Sequence, residues 1–181
     1  MYHIEEQTPR HDAAIDILLD AAFGPNRHAK RSYGFRDGID DIDTLRFVAI
    51  GNEDGDLVGT IRFWPVRIGM DGAPALLLGP LGVSPDHQGE GIGAALIDHG
   101  LAEARSQGFA ICTLVGPLHY YGRFGFAPAS IYDVAMPGEA QERLLIRELR
   151  NDALKGVSGD IRRWDPVADV AAPASYSAAS A

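Results

Sequence analysis

Hydrophobic and polar positions change period several times along this chain, and each change marks an element. Residues 2–7 read as a first strand, with Tyr2 and Ile4 alternating with polar neighbours. Thr8 and Pro9 then suit the cap and first position of a helix running to Phe23, with Ile15, Leu18, Leu19 and Ala22 on one face. Gly24-Pro25 ends it, and the basic stretch 27–36 predicts a second, short helix. Residues 45–50, 57–70 and 75–83 read as strands, separated by the hairpin turn at 53–56 and by Asp71-Gly72. A helical period returns over 91–107, where Ile92, Leu96, Ile97, Leu101 and Ala104 form the apolar stripe and Gly108 suits the position after the last turn. Residues 109–115 are nearly all apolar, as in a strand buried on both faces. A strand-helix-strand crossover makes the strands on either side of this helix parallel. Residues 130–136 predict one more strand. Small and polar residues fill 171–181, which predicts a poorly ordered tail.

Composition narrows the class. A chain of 181 residues with 46% hydrophobic content suits one domain with a real core. We place that domain at 1–165 and a flexible C-terminal tail at 166–181. The net charge of −9, from 16 basic and 25 acidic residues, argues against nucleic acid and anionic membranes as partners. Cys112 is the only cysteine, so no internal disulfide forms, and its apolar strand marks it as core. There is no long apolar run, and the first residues lack a signal-peptide pattern, so a soluble cytoplasmic protein is expected. The six histidines lack metal-ligand spacing, and no metal is assigned.

The candidate chemistry lies where the third strand of the middle group runs into the long helix, in Val83-Ser-Pro-Asp-His-Gln-Gly-Glu-Gly-Ile-Gly-Ala94. Glycines let backbone approach a ligand closely, and the first N–H groups of a helix have no partners of their own. Together with the macrodipole they form an anion site. The loop therefore reads as a pyrophosphate cradle, with a ligand-free helix start as the plainer account. Gly89-x-Gly91-x-x-Ala94 also satisfies a dinucleotide template, but that template needs an acid at the end of the next strand. Here that strand ends Thr113-Leu114-Val115-Gly116.

Gln88-x-x-Gly91-x-Gly93 resembles the Arg/Gln-x-x-Gly-x-Gly/Ala signature of the GNAT superfamily of N-acetyltransferases. Tyr121-Gly-Arg-Phe-Gly-Phe126 resembles the Tyr-x-x-x-Gly-Phe segment that follows the next strand in that superfamily. Leu77-Leu-Leu-Gly-Pro-Leu-Gly-Val83 and the Tyr120-Tyr121 pair are further similar to its YhbS-like bacterial branch. The close likeness covers residues 45–130. It implies an α/β (α+β) GNAT fold: a mixed, mostly antiparallel sheet, helices on both faces, a three-stranded antiparallel meander and a splayed parallel strand pair. It also implies a strand near 144–149, where helix propensity over 139–149 would favour a helix.

The resemblance implies acetyl-CoA as co-substrate and direct transfer of its acetyl group to an amine in a ternary complex. It implies that amides from Gln88, Gly89, Glu90, Gly91, Ile92, Gly93 and Ala94 hold the diphosphate. The pantetheine arm would pair with the splayed strand at Leu81, Gly82 and Val83, as an added strand does. Tyr121 would be the general acid toward the leaving sulfur, with packing among four nearby aromatics as its alternative role. Tyr120 would pack or flank the coenzyme, and Arg123 is a candidate phosphate partner. Strand 75–83 carries no carboxylate, so no side-chain base is assigned. Asp86, Glu90 and His119 are expected at the surface. Arg62 and Trp64 share a strand face, and in this fold that region and the second helix border the acceptor site. Arg27, Lys30, Arg31, Tyr33 and Arg36 are candidates to meet an acidic substrate group, with a solvated basic face as the plainer account. The acceptor is a small-molecule or peptide amine, and a homodimer stays open. A non-catalytic acyl-CoA-binding module is the alternative from another class.

Overall fold

A computed structural model describes residues 1–27, 34–53 and 55–165. The tail assigned to 166–181, residues 28–33 of the basic stretch and Asp54 of the predicted hairpin turn lie outside the described residues. Among the described residues the chain forms one nine-stranded sheet. Strands β1 (Tyr2–Glu6), β2 (Arg46–Gly51), β3 (Leu57–Ile68) and β4 (Ala73–Val83) are successive antiparallel neighbours. Strand β5 (Ile111–Val115) pairs with β4 in parallel, and β8 (Leu144–Glu148) pairs antiparallel with β5. The two-residue β6 (Ala127–Pro128) closes that side. The short β7 (Val134–Ala135) and β9 (Gly159–Arg163) form a side arm, with β9 pairing Val66 to Ile68 of β3 beyond the end of β2.

The helices sit on opposite faces. Helix α1 (Asp12–Phe23) begins after a 3-10 turn at Pro9–His11, so the helix proper starts later than Pro9 implied. The Thr8 N–H donates to His11 Nδ1, 3.0 Å away. The α1 stripe Ile15, Leu18 and Leu19 is buried against Val48. Arg27 just beyond it is buried and ion-paired to Asp16 (2.8 Å) and Asp20 (2.7 Å). Those two pairs fasten it to α1. Helix α2 (Ile92–Ser106) packs its predicted stripe on the other face. Gly100 makes that contact possible, since a Cβ there would lie 2.6 Å from the Phe63 ring.

Two expectations need correction. Residues 130–136 do not form a strand: a 3-10 turn (Ala129–Tyr132) and Asp133 at φ +55° bend the chain, leaving only the bridge at β7. A left-handed residue cannot continue a pleated strand. Strand β9 had no counterpart in the sequence reading. The strand alternative over 144–149 holds as β8, and strand pairing outweighs the helix propensity there.

Candidate active site

Strands β4 and β5 pair in register only at Leu76–Cys112 and Leu77–Thr113. The Thr113 hydroxyl donates to the Leu76 carbonyl at 2.8 Å and fastens that short zipper. Beyond it the strands part. On the β4 side the β3–β4 register also shifts, from Phe63–Leu78 to Ile61–Leu81, so Gly79 and Pro80 form a bulge opposite Arg62. A bulge re-aims backbone groups locally, and Pro80 offers no N–H of its own. The next amide along β4 is that of Leu81. The splay and the bulge thus coincide.

The cradle lies at the far end of β4. A 3-10 turn (Pro85–His87) leads to Gly91 at the N-cap of α2, with φ +82°. Gly89 is likewise left-handed at φ +88°, and a Cβ on either residue would meet nothing within 4 Å. Packing therefore does not require either glycine; backbone geometry and an open cradle do. A cavity of about 410 Å³ opens here. Of the predicted coenzyme residues, Val83, Gln88, Gly89 and Gly91 line it, as do Ile92, Gly93, Ala94, Tyr120 and Arg123. The donor set, unpartnered helix-start amides facing open space, fits a diphosphate. A Cβ on Gly93 would stand 2.9 Å from the Tyr120 hydroxyl, so that hydroxyl reaches into the cradle. Arg123 lies over the Tyr120 ring at 4.5 Å and over Phe124 at 4.8 Å. Its charge is held beside the cavity by the aromatic faces.

Three predicted coenzyme residues, Leu81, Gly82 and Glu90, do not line the cavity. Gly82 is buried with its open side toward α1: a Cβ would approach Leu19 Cδ2 at 2.7 Å and Leu18 Cδ2 at 2.8 Å. Its missing side chain serves helix packing, and the residue is paired with Thr60 of β3. Leu81 is half-buried at the bulge, paired with Ile61. Glu90 is exposed and lies 3.2 Å from His87 Nδ1. His87 lines the cavity and was missed in the sequence reading, although its place directly before Gln88 could have pointed to it. Asp86 and His119 are exposed, as expected.

Tyr121 is half-buried outside the cavity. It belongs to the short helix α3 (Leu118–Tyr121), which follows β5. Its ring lies on Gly116, where a Cβ would come within 2.3 Å of Cε2. The Tyr120 and Phe126 rings meet it edge-on at 4.9 and 6.2 Å. Burial first, then Tyr120, pushes the phenol up to about 12, while the positive charge of Arg143 opposes this. Tyr121 therefore stays protonated at ordinary pH and can donate a hydrogen bond. Burial also pushes the Cys112 thiol far up, which suits a core residue and not a nucleophile.

On the α1 face, β3 presents Arg62 and Trp64. Arg62 is tied to Gln7 (2.9 Å), Asp41 (3.6 Å) and Asp12 (3.8 Å). Burial raises the Asp41 carboxyl although Arg62 and Arg46 oppose it. Asp41 is bound up in that ion-pair cluster, and β4 itself carries no carboxylate. Arg36 lies 5.8 Å from the Trp64 ring centroid. Lys30, Arg31 and Tyr33 fall outside the described residues. Among the described residues no group of three or more His, Cys, Asp or Glu is placed to hold a metal, and no helix is long and apolar enough to cross a membrane.

Residues 12–126 match the sequence model of the acetyltransferase (GNAT) family. The chain belongs to that family. It is 30% identical over 158 residues to the N-acetyltransferase YhbS of Escherichia coli (strain K12), covering 86% of this chain and 92% of YhbS. The crystal structure of Escherichia coli YhbS in complex with CoA superposes with a TM-score of 0.77 at 29% identity, over 91% of this chain and 90% of that one. A Brucella melitensis GNAT acetyltransferase in complex with acetyl-CoA gives a TM-score of 0.66 at 32% identity, over 92% and 98% of the two chains. As a GNAT acetyltransferase, the protein is an acyltransferase that uses acetyl-CoA, and its parted β4–β5 pair is the GNAT arrangement expected from the motifs.

Proposed function

We propose that the protein moves the acetyl group of acetyl-CoA to a small-molecule or peptide amine by direct attack within a ternary complex. Four observations support the reading: β4 and β5 pair only at Leu76–Cys112 and Leu77–Thr113, the Gly79-Pro80 bulge follows on β4, the Gly89–Ala94 cradle lies past the end of β4, and the Tyr121 ring rests on Gly116 just past β5. The single catalytic domain is taken as residues 1–165, in a cytoplasmic setting where the thiol of Cys112 stays reduced.

The cradle amides and Arg123 hold the diphosphate. The edge of β4 from Leu81 to Val83, which β5 leaves unpaired, accepts the amide-bearing arm as a further strand. This brings the thioester beside the Gly79-Pro80 bulge. The amine nitrogen bonds to the thioester carbon, and the carbonyl electrons move onto oxygen. The Leu81 N–H is placed to meet that oxyanion. The carbon–sulfur bond then breaks, and the sulfur leaves with its electron pair. Tyr121 meets it with a hydrogen bond from the phenol. The ammonium proton departs to water, since no carboxylate lines β4. Holding both reactants side by side is worth several kcal/mol of barrier in such reactions.

The test is thiol release from acetyl-CoA across a panel of amines, preceded by a thermal melt. Acetyl-CoA that binds only the folded state must raise the melting temperature. A raised melting temperature with no thiol release across the panel would favour a non-catalytic acyl-CoA-binding module.

A further inference from the structure

Leu77 is paired with Trp64 of β3 on one side and with Thr113 of β5 on the other. It is the last residue of β4 held on both edges before the splay. From that same rung the Trp64 indole reaches two residues further along β4, and its Nε1–H donates to the Gly79 carbonyl at 2.7 Å. Gly79 is buried and sits in the bulge, where the β3–β4 register is broken. A buried carbonyl outside the ladder must find a donor, and here it finds a side chain. The Arg36 guanidinium lies against the same point: Nη2 is 3.1 Å from where a Gly79 Cβ would be. Gly79 has φ +124°, so its peptide orientation is one that ordinary strand pairing would not select.

We propose that Trp64 is a positioning residue: its indole N–H fixes the Gly79 peptide and so aims the β4 bulge, with the Leu81 amide after it, at the thioester carbonyl. The inference rests on the acetyltransferase reading above. Trp64 is not among the residues lining the cradle cavity, so the proposed role is separate from the hold on the diphosphate. An oxyanion donor acts only at the right distance, and a displacement of about 1 Å costs on the order of a hundredfold in rate. Losing the fastener should therefore slow the chemistry and leave coenzyme affinity in place.

The experiment compares the parent with Trp64→Phe, which keeps an aromatic ring and removes the N–H. A second protein carries Trp164→Phe and has Trp64 replaced biosynthetically by benzothienylalanine, in which sulfur stands for N–H on the same bicyclic frame. The readouts are kcat and KM for acetyl-CoA by thiol release, the melting temperature, and its rise with CoA. Both altered proteins should lose tenfold or more in kcat, with KM for acetyl-CoA and the CoA-induced rise in melting temperature changed less than twofold. A lowered melting temperature with kcat within twofold of the parent would assign the bond to stability alone and overturn the proposal. Parallel losses in kcat and coenzyme affinity would overturn it too, by placing Trp64 in coenzyme binding. Absence of thiol release from the parent itself would sink the transferase reading, and this role with it.

Discussion

Replacing Tyr121 by Phe tests the chemistry of the site with one atom. The ring rests on Gly116 and meets Tyr120 and Phe126 edge-on, and Phe keeps all three contacts. The melting temperature should therefore stay within about 2 °C, less than the shift that about 1 kcal/mol produces in a chain of this size. What is lost is the phenolic hydrogen bond to the leaving sulfur. With its phenol pushed up to about 12, Tyr121 is a much weaker acid than an alkyl thiol near about 8.5. That gap corresponds to roughly 5 kcal/mol against full proton transfer. Tyr121 therefore acts by donating a hydrogen bond to the thiolate, and a bond to a charged group is worth about 1.5–3 kcal/mol. The expected loss in kcat is roughly 10- to 160-fold, with KM for acetyl-CoA nearly unchanged. Thiol release from acetyl-CoA at saturating amine measures it, and acetyl-CoA affinity comes from calorimetry. A kcat within threefold of the parent would reduce Tyr121 to a packing aromatic. A fall in affinity as large as the fall in kcat would move it into coenzyme binding.

Other perturbations probe the cradle, the core and the surface. Gly91→Ala forces a side chain into a left-handed cap at φ +82°. The strain of about 1–2 kcal/mol should lower the melting temperature by about 2–8 °C, and CoA affinity by calorimetry should fall at least tenfold as the cradle distorts; affinity within twofold would detach Gly91 from the diphosphate. Thr60 is fully buried, and its hydroxyl has no hydrogen-bond partner among the described residues. Thr60→Val should therefore raise stability to urea by about 1 kcal/mol, and a decrease would mean that the hydroxyl has a partner in solution. Glu5 is held below the ordinary carboxylate range by its hydrogen bond to Arg10, at 2.6 Å, with Arg10 and His11 charges assisting against burial. A lowered carboxyl contributes stability above its unfolded value of 4.5 and loses it as pH falls through the folded one. The stability gap between the parent and Glu5→Gln should thus be full at pH 7 and close on acidification below 4.5; a gap that widens in acid would contradict this sign.

Local signals carried far in this chain. Gly89, Gly91 and Gly93 were legible as a cradle because an anion site at a helix start needs only a few consecutive residues. The α2 stripe, the buried β5 and their parallel crossover were legible for the same reason. Strand β9 was not, because Ile161 is its only buried residue and its pairing with β3 spans about ninety positions. Nor was the packing reason for Gly82 legible, because the Leu18 and Leu19 side chains its bare face meets lie more than sixty residues earlier. Arg27 looked available to a substrate, yet two aspartates of α1 hold it.

The amino-acid order by itself determined most element types, the glycine-rich start of α2 and the acetyltransferase likeness. These depend on period and on neighbours a few positions apart. Tertiary structure alone decided that β4 breaks register at Gly79-Pro80 where it parts from β5, that the Trp64 indole meets the Gly79 carbonyl, and that Tyr120 enters the cradle while Tyr121 lies on Gly116. Each of those is a contact between elements, and its geometry exists only once strand register and helix packing have placed both sides.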